Sequence, residues 1–232
     1  MRAVYLIIVI VLNTSVFAQG TDHSKWNKVL TKYVSTDGRV NYEALHKNPD
    51  VLIAYLNELV SEQPKNEWSK DQKLAYWINA YNAYTLKLII DNYPIESIKD
   101  VKNPWDQEFI PFEGTLISLN TIEHNILRKM DEPRIHFAIV CASVSCPKLQ
   151  NKAFRASILE EQLNNVTKTF LSDASKNELS KDKIKISKIF KWFKKDFEQN
   201  GSVIDFINKY VDYEILKDAD IDYLNYNWSL ND

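Results

Sequence analysis

The sequence predicts an α+β fold: a single, mostly helical domain with a small central sheet. Three observations predict it. Apolar residues recur at helical spacing through much of the chain. The short β-patterned stretches do not alternate regularly with the helices, which argues against a doubly wound fold. No internal repeat, proline-rich linker or low-complexity stretch marks a boundary, so residues 19–232 read as one domain.

The elements follow in order. "WNKVLTKYV" places Trp26, Val29, Leu30, Tyr33 and Val34 on one helical stripe, with Ser24 as cap. "TDGRVNY" is a turn leading into a short strand. "DVLIAYLNELV" is a second helix, capped by Asp50, with Leu52, Tyr55, Leu56, Leu59 and Val60 as its stripe. "SKDQKLAYWINAYNAYTLKLIIDNYP" is the longest helix. Ser69 and Gln72 make a capping box, and Asn92-Tyr93-Pro94 stops it. It is apolar nearly all round, so it is expected to be buried.

"EFIPFEGTLISL" reads as two short strands around Glu113-Gly114. "SLNTIEHNILRKM" is a helix capped by Ser118 or Asn120. "RIHFAIVC" reads as a strand, apolar on both faces and therefore central. "ASILEEQLNNVTKTFL" is an amphipathic helix, "KIKIS" a short strand, and "IFKWFKKDF" a short aromatic helix. "SVIDFINKYV" is helical and "IDYLNYNW" a terminal strand.

Composition excludes some functions. The formal net charge is −2, which argues against a nucleic-acid partner. Only four glycines are present, and no phosphate-cradling or dinucleotide fingerprint occurs. No cofactor is called for. Six tryptophans, twelve tyrosines and ten phenylalanines supply a large core or a carbohydrate- or peptide-binding cleft. "MRAVYLIIVIVLNTSVFAQG" has Arg2, a short apolar run and a small-residue cleavage pattern at Val16-Phe17-Ala18. Residues 1–18 therefore read as a signal peptide, the run being too short to span a bilayer. No other segment is long and apolar enough to do so. The expected product is exported, periplasmic or secreted, where disulfides persist.

Several stretches carry a resemblance. "VNYEAL", "AYWINAYNAYTLKLI", "YPIESIKDV", "LISLNTIEHNILR", "PRIHFAIVCASVSCPKL", "AFRASILEEQL", "LSDASKNELSKDKIKISKIFKWFKKDF" and "YLNYNWSLN" occur in that order. "WINAYNA", "IEH" and "HFAIVCASVSCP" are the most specific. In these the chain resembles the family known as domain of unknown function 547. The resemblance implies an exported bacterial member of a family also found in plant proteins, fused there to a coiled coil. It implies no settled activity, so chemistry must come from the residues.

Asn79 and Asn82 lie three apart on one face of the buried helix. Either they hydrogen-bond the backbone of a buried loop, or one orients a catalytic imidazole. His124 and Arg128 are one helical turn apart; Glu123, next to His124, is expected to point elsewhere. Cys141 and Cys146 are the only cysteines. Pro147 suits the first position of a helix, which would make Cys146 an N-cap with a lowered thiol pKa.

Three readings of this pair follow. A Cys141–Cys146 disulfide would staple a small loop. Zinc is the weakest, because the spacing falls outside the usual knuckle, and no metal ligand is assigned. The third is a thiol-dependent hydrolase or transferase acting on an amide or peptide-like envelope substrate. In it Cys146 attacks, His124 is the base, and Asn79 or Asn82 orients it. Arg128, His136, Cys141 and Ser145 are then candidates for substrate contact. The alternative to that enzyme is a non-catalytic binding or structural module with the disulfide as staple. The partner in either case is a small molecule or peptide-like compound, with oligomeric state open.

Overall fold

Helix α4, Lys70–Asn92, carries the architecture: α2 (Tyr42–Lys47) and α3 (Asp50–Ser61) pack on it, and α1 (Ser24–Tyr33) packs on α2 and α3. A computed structural model describes residues 20–232; the expected signal peptide lies outside them. The fold is α+β and mostly helical, as the patterning predicts. The expected capping box is present: the Ser69 hydroxyl accepts from Gln72 N–H, and the Gln72 side chain accepts from Ser69 N–H. Sixteen residues of α4 are buried, including Trp77, Ile78, Tyr81 and Leu88, so the helix is enclosed on all sides. Trp26 of α1 stacks on Tyr55 of α3 with ring centroids 5.5 Å apart, locking those two helices together. Ser24 and Asp50 fall one residue inside their helices, behind His23 and Pro49. Among the described residues no helix is long and apolar enough to cross a membrane.

After α4 the chain forms the expected hairpin, β1 (Ile110–Phe112) against β2 (Thr115–Ile117), turning at Glu113-Gly114. The expected helix over "SLNTIEHNILRKM" is present but not regular. The Ser118 hydroxyl accepts from Thr121 N–H, a wide π-helical stretch covers Thr121–Ile126, and a tight 3₁₀ turn covers Leu127–Met130.

The strand expected at "RIHFAIVC" is not there. Pro133–Phe137 is a 3₁₀ turn with Pro133 at its start, and Glu132 accepting from Arg134 N–H. A short apolar run reads alike as a buried strand or a buried coil. What decides is where its backbone finds partners, and here Asn82 provides them. Its amide donates to Ala138 C=O at 2.9 Å and accepts from Val140 N–H at 2.9 Å, which is the exchange a neighbouring strand would make. Arg134 tethers this turn to Glu132 and, further along the chain, to Glu160 and Asn164. The described residues contain two small sheets in place of one: the hairpin, and a three-stranded sheet formed later in the chain.

Helix α5, Leu159–Ser172, packs Leu163, Val166 and Phe170 inward. Strand β3 (Glu178–Leu179) pairs antiparallel with β4 (Lys183–Ile186), and β4 pairs parallel with β5 (Asp220–Tyr223). Ile184 and Ile186 face the core while Lys183 and Lys185 face solvent, the two-residue alternation of a half-buried strand. Ser187 then caps α6, Lys188–Trp192, followed by α7, Lys194–Phe197, and α8, Val203–Ile207. The expected aromatic helix is thus two short turns broken at Phe193.

Pro147 starts no helix. It opens an extended segment through Gln150. Gly38, at φ +86°, packs so closely on that segment that a Cβ there would lie 2.8 Å from the Lys148 Cβ. Cys146 is therefore not an N-cap, and the expected helix-dipole effect on its sulfur is absent.

Candidate functional site

The π-helical stretch at Thr121–Ile126 sets the chemistry of one cleft. It carries the consecutive residues Glu123 and His124, and both line the same opening. Glu123 is buried, and Tyr81 of α4 donates its hydroxyl to the Glu123 Oε2 at 3.1 Å. Burial pushes the Glu123 carboxyl up to about 7, against the smaller pull of Tyr81 and Arg128. The expectation that Glu123 points away from His124 was wrong: its bond to Tyr81 holds it at the same cleft.

A second cluster stands beside it, centred on Asp196 of α7. Arg128 makes a two-pronged contact to it, Nε to Oδ2 at 2.6 Å and Nη2 to Oδ1 at 2.8 Å. His136 Nε2 donates to Oδ2 at 2.8 Å. Burial pushes the Asp196 carboxyl up, but the hydrogen bonds from Arg128 and His136 outweigh it and hold it well below the usual range. His136 is pushed down by burial more than Asp196 raises it, and its Nε2 faces the carboxylate as the donor. Its ring stacks on Phe193 at 3.9 Å. Arg128 also donates to His124 Nδ1 at 3.1 Å, which fixes the His124 proton on Nε2. Burial, then the Arg128 charge, lower the His124 pKa.

Cys141 and Cys146 are bonded to each other, with Cα atoms 6.2 Å apart. Their loop is held independently by the chain's last residues. Val144 N–H donates to Ser229 C=O at 2.8 Å, Ser145 N–H to Asn227 C=O at 3.2 Å, and Asn231 N–H to Ala142 C=O at 3.3 Å. That strap also bonds Leu230 N–H to Glu96 C=O at 2.8 Å. It carries Tyr226 and Trp228 to the cleft.

These parts enclose a cavity of about 200 Å³. Trp105, Trp192, Tyr226 and Trp228 form one side as touching rings, with Tyr226 and Trp228 centroids 4.6 Å apart and Trp192 and Trp228 stacked at 5.8 Å. Glu123, His124, His136 and Asn120 supply the polar side, and the cystine lies between. Lys99 sits over the Trp228 ring at 4.1 Å and supports the wall. A larger groove, about 890 Å³, runs past Lys168, Lys183, Lys185, Glu178 and Asp222. Those charges are exposed and solvated, and the groove holds no buried titratable group, so the smaller cleft is the better site.

The structure brings together His124, His136, Cys141 and Cys146 at this cleft. Arg128 stands behind it as a positioning charge. Ser145 accepts from Asn227 N–H at 2.8 Å and holds the strap. Asn79 and Asn82 do not line the cleft. Asn79 donates to Phe154 C=O at 2.8 Å and accepts from Phe154 N–H at 3.0 Å, as Asn82 does at Ala138 and Val140. Both amides are thus clamps on buried backbone, which would otherwise lose about 1–3 kcal/mol per stranded group. The sequence reading missed Asp196, Tyr81, Trp192, Tyr226 and Trp228. Among the described residues no three His, Cys, Asp or Glu side chains gather as a metal site requires.

Residues 65–171 match the family model described as protein of unknown function, DUF547. Over that segment, slightly under half of the chain, the sequence is similar to that family. The DUF547 segment spans α4, the hairpin, the π-helical stretch, the cystine loop and most of α5. It is narrower than the resemblance read from the sequence. It supplies the polar side of the cleft and Trp105, while Trp192, Asp196, Tyr226 and Trp228 come from chain beyond it. Neither a curated protein nor a solved structure matches the chain.

Proposed function

We propose that the chain is a binding module for a small ligand with one flat apolar face and a hydrogen-bonding edge, the chemistry of a pyranose ring. The observation that carries this reading is the two-sided lining of the cleft: touching Trp and Tyr rings opposite Glu123, His124 and Asn120. Aromatic rings take up a sugar's C–H face, and the polar side takes its hydroxyls. A cavity of about 200 Å³ is below the usual size of drug-binding pockets, which suits a single ring. The binding alternative is favoured over the thiol hydrolase because the Cys146 sulfur is bonded to Cys141, leaving no thiolate to attack.

The test is a titration of the unreduced protein with N-acetylglucosamine and methyl glucoside, read by tryptophan fluorescence. A saturable change is expected. It should weaken about tenfold in Trp192→Ala, whose ring is 46 % exposed at the mouth and carries little of the core. A saturable response to N-acetylphenylalaninamide alone would transfer the site to peptide-like ligands. No response to any of the three, or an unchanged response in Trp192→Ala, would contradict the reading.

A further inference from the structure

We propose that the Cys141–Cys146 cystine is a thiol–disulfide exchange centre, oxidising small thiols that enter the cleft. This goes beyond ligand binding and depends on the cleft only for access. Three observations carry it. Both sulfurs line the cavity, with Cys141 half-buried and Cys146 buried. Donors converge on the cystine: the Tyr226 hydroxyl reaches both sulfurs, Cys146 at 3.2 Å and Cys141 at 3.3 Å, the Ser143 hydroxyl lies 3.3 Å from the Cys141 sulfur, and the Cys141 backbone N–H donates to the Cys146 sulfur at 2.9 Å. And the loop holds its shape through the C-terminal strap, so the bond contributes little as a staple. The entropic gain from a crosslink falls with loop length, and these residues are only five apart.

The donors assign the direction of attack. Hydrogen bonds to a sulfur stabilise it as a thiolate, and a better leaving thiolate departs faster. The backbone donor serves Cys146 alone and Cys141 is the more open sulfur, so Cys146 is the leaving sulfur and Cys141 the one attacked. The Ser143 hydroxyl donates to the Tyr226 oxygen at 3.4 Å, which leaves the Tyr226 proton for the cystine sulfurs. Burial pushes the Tyr226 phenol up to about 12, so it remains a donor at neutral pH.

The step balances as follows. A small thiol ionises, and its thiolate attacks Cys141 Sγ. An S–S bond forms between them as the Cys141–Cys146 bond breaks, its electron pair going to Cys146 Sγ. A second thiolate attacks the ligand sulfur of this mixed disulfide, releasing a small disulfide and the Cys141 thiolate. The two protons shed by the small thiols end on the two cysteines. Two thiols are oxidised and one cystine reduced. A low-molecular-weight disulfide drives the same steps backward and regenerates the cystine. The strap keeps the two reduced thiols close for that return.

The test uses glutathione as the thiol and follows reduction by alkylation and mass spectrometry. The cyclic peptide Cys-Ala-Ser-Val-Ser-Cys serves as the unstructured reference. The protein should react at least about tenfold faster per thiolate than this peptide, and Tyr226→Phe should slow it several-fold. In Cys141→Ser, the same Tyr226→Phe change should raise the Cys146 thiol pKa, a shift that mere packing loss would not give. In Cys146→Ser, glutathione disulfide should leave a mixed disulfide on Cys141. Should Tyr226→Phe fold poorly, Ser143→Ala is the second variant and should slow exchange by a smaller factor. Reduction no faster than the peptide, an unmoved Cys146 pKa, or no adduct on Cys141 would each overturn the proposal. If exchange fails while N-acetylglucosamine still binds, exchange alone is refuted and the cleft reading stands.

Discussion

Replacing Asp196 with alanine is expected to destabilise the protein by about 3 kcal/mol, the low end of the cost of breaking a buried ion pair. The carboxylate side chain is 13 % exposed, its Arg128 partner 28 % and His136 1 %, so water only partly replaces what is lost. The change leaves the Arg128 charge without its two-pronged partner and the buried His136 N–H without an acceptor. Urea denaturation at pH 7 reads the effect. A loss under about 1 kcal/mol would rank the bridge with exposed surface pairs and remove Asp196 from the site's framework. The acid limb carries the sign. The folded Asp196 pKa is depressed below the usual value near 4, so its stabilisation is complete above pH ~4 and lost as pH falls through the folded value. Asp196→Ala should lack that part of the acid loss.

The Glu123 carboxyl has the opposite sign. Its folded pKa, about 7, lies above the ordinary carboxylate value, so folding favours the protonated form. Stability from this group is fully present below pH ~4.5 and lost as pH rises through about 7. The shift corresponds to roughly 3 kcal/mol at pH 8, since each pKa unit is worth about 1.4 kcal/mol. Glu123→Gln keeps the shape and a donor but cannot ionise. The variant should therefore show a flatter profile between pH 5 and 8, and exceed the parent protein at pH 8. Parallel profiles for the two proteins would show that Glu123 titrates normally and sits in a wetter place than its burial implies.

Where local chemistry decided an element, the sequence sufficed. Ser69 and Gln72 announced the start of α4 by a hydrogen-bond exchange complete within four residues. Glu113-Gly114 announced the hairpin, and the Lys-Ile alternation announced β4. Where a partner distant in sequence decided, local pattern failed. "RIHFAIVC" lacked its strand because Asn82, more than fifty residues away, satisfied its backbone in place of a sheet. Glu123 was misplaced because its carboxyl is held at the cleft by Tyr81, 42 residues away.

The site divides along the same line. His124, His136 and the cysteine pair stood out as reactive residue types in an apolar chain. Asp196 carried no local signal: it is one acid among lysines in "KWFKKDF", 60 residues from His136 and 68 from Arg128. Only folding α7 against the 3₁₀ turn at Pro133–Phe137 makes it the shared partner of both. Tyr226 and Trp228 read as strand residues at the end of the chain, whereas the strap that bears them is held by the cystine loop. The aromatic wall is thus a tertiary feature, assembled from three separate stretches.

The most direct measurement is alkylation of the purified, unreduced protein with iodoacetamide near neutral pH, followed by intact-mass and peptide analysis. A binding cleft closed by a cystine predicts no adduct, and a peptide pair linked through Cys141 and Cys146 that is two hydrogens lighter than its reduced form. Reactivity should appear only after reductant, and His124→Ala should leave that pattern unchanged. An adduct on Cys146 without reductant, formed more slowly in His124→Ala, would contradict it and put a thiol nucleophile back at the centre of the site.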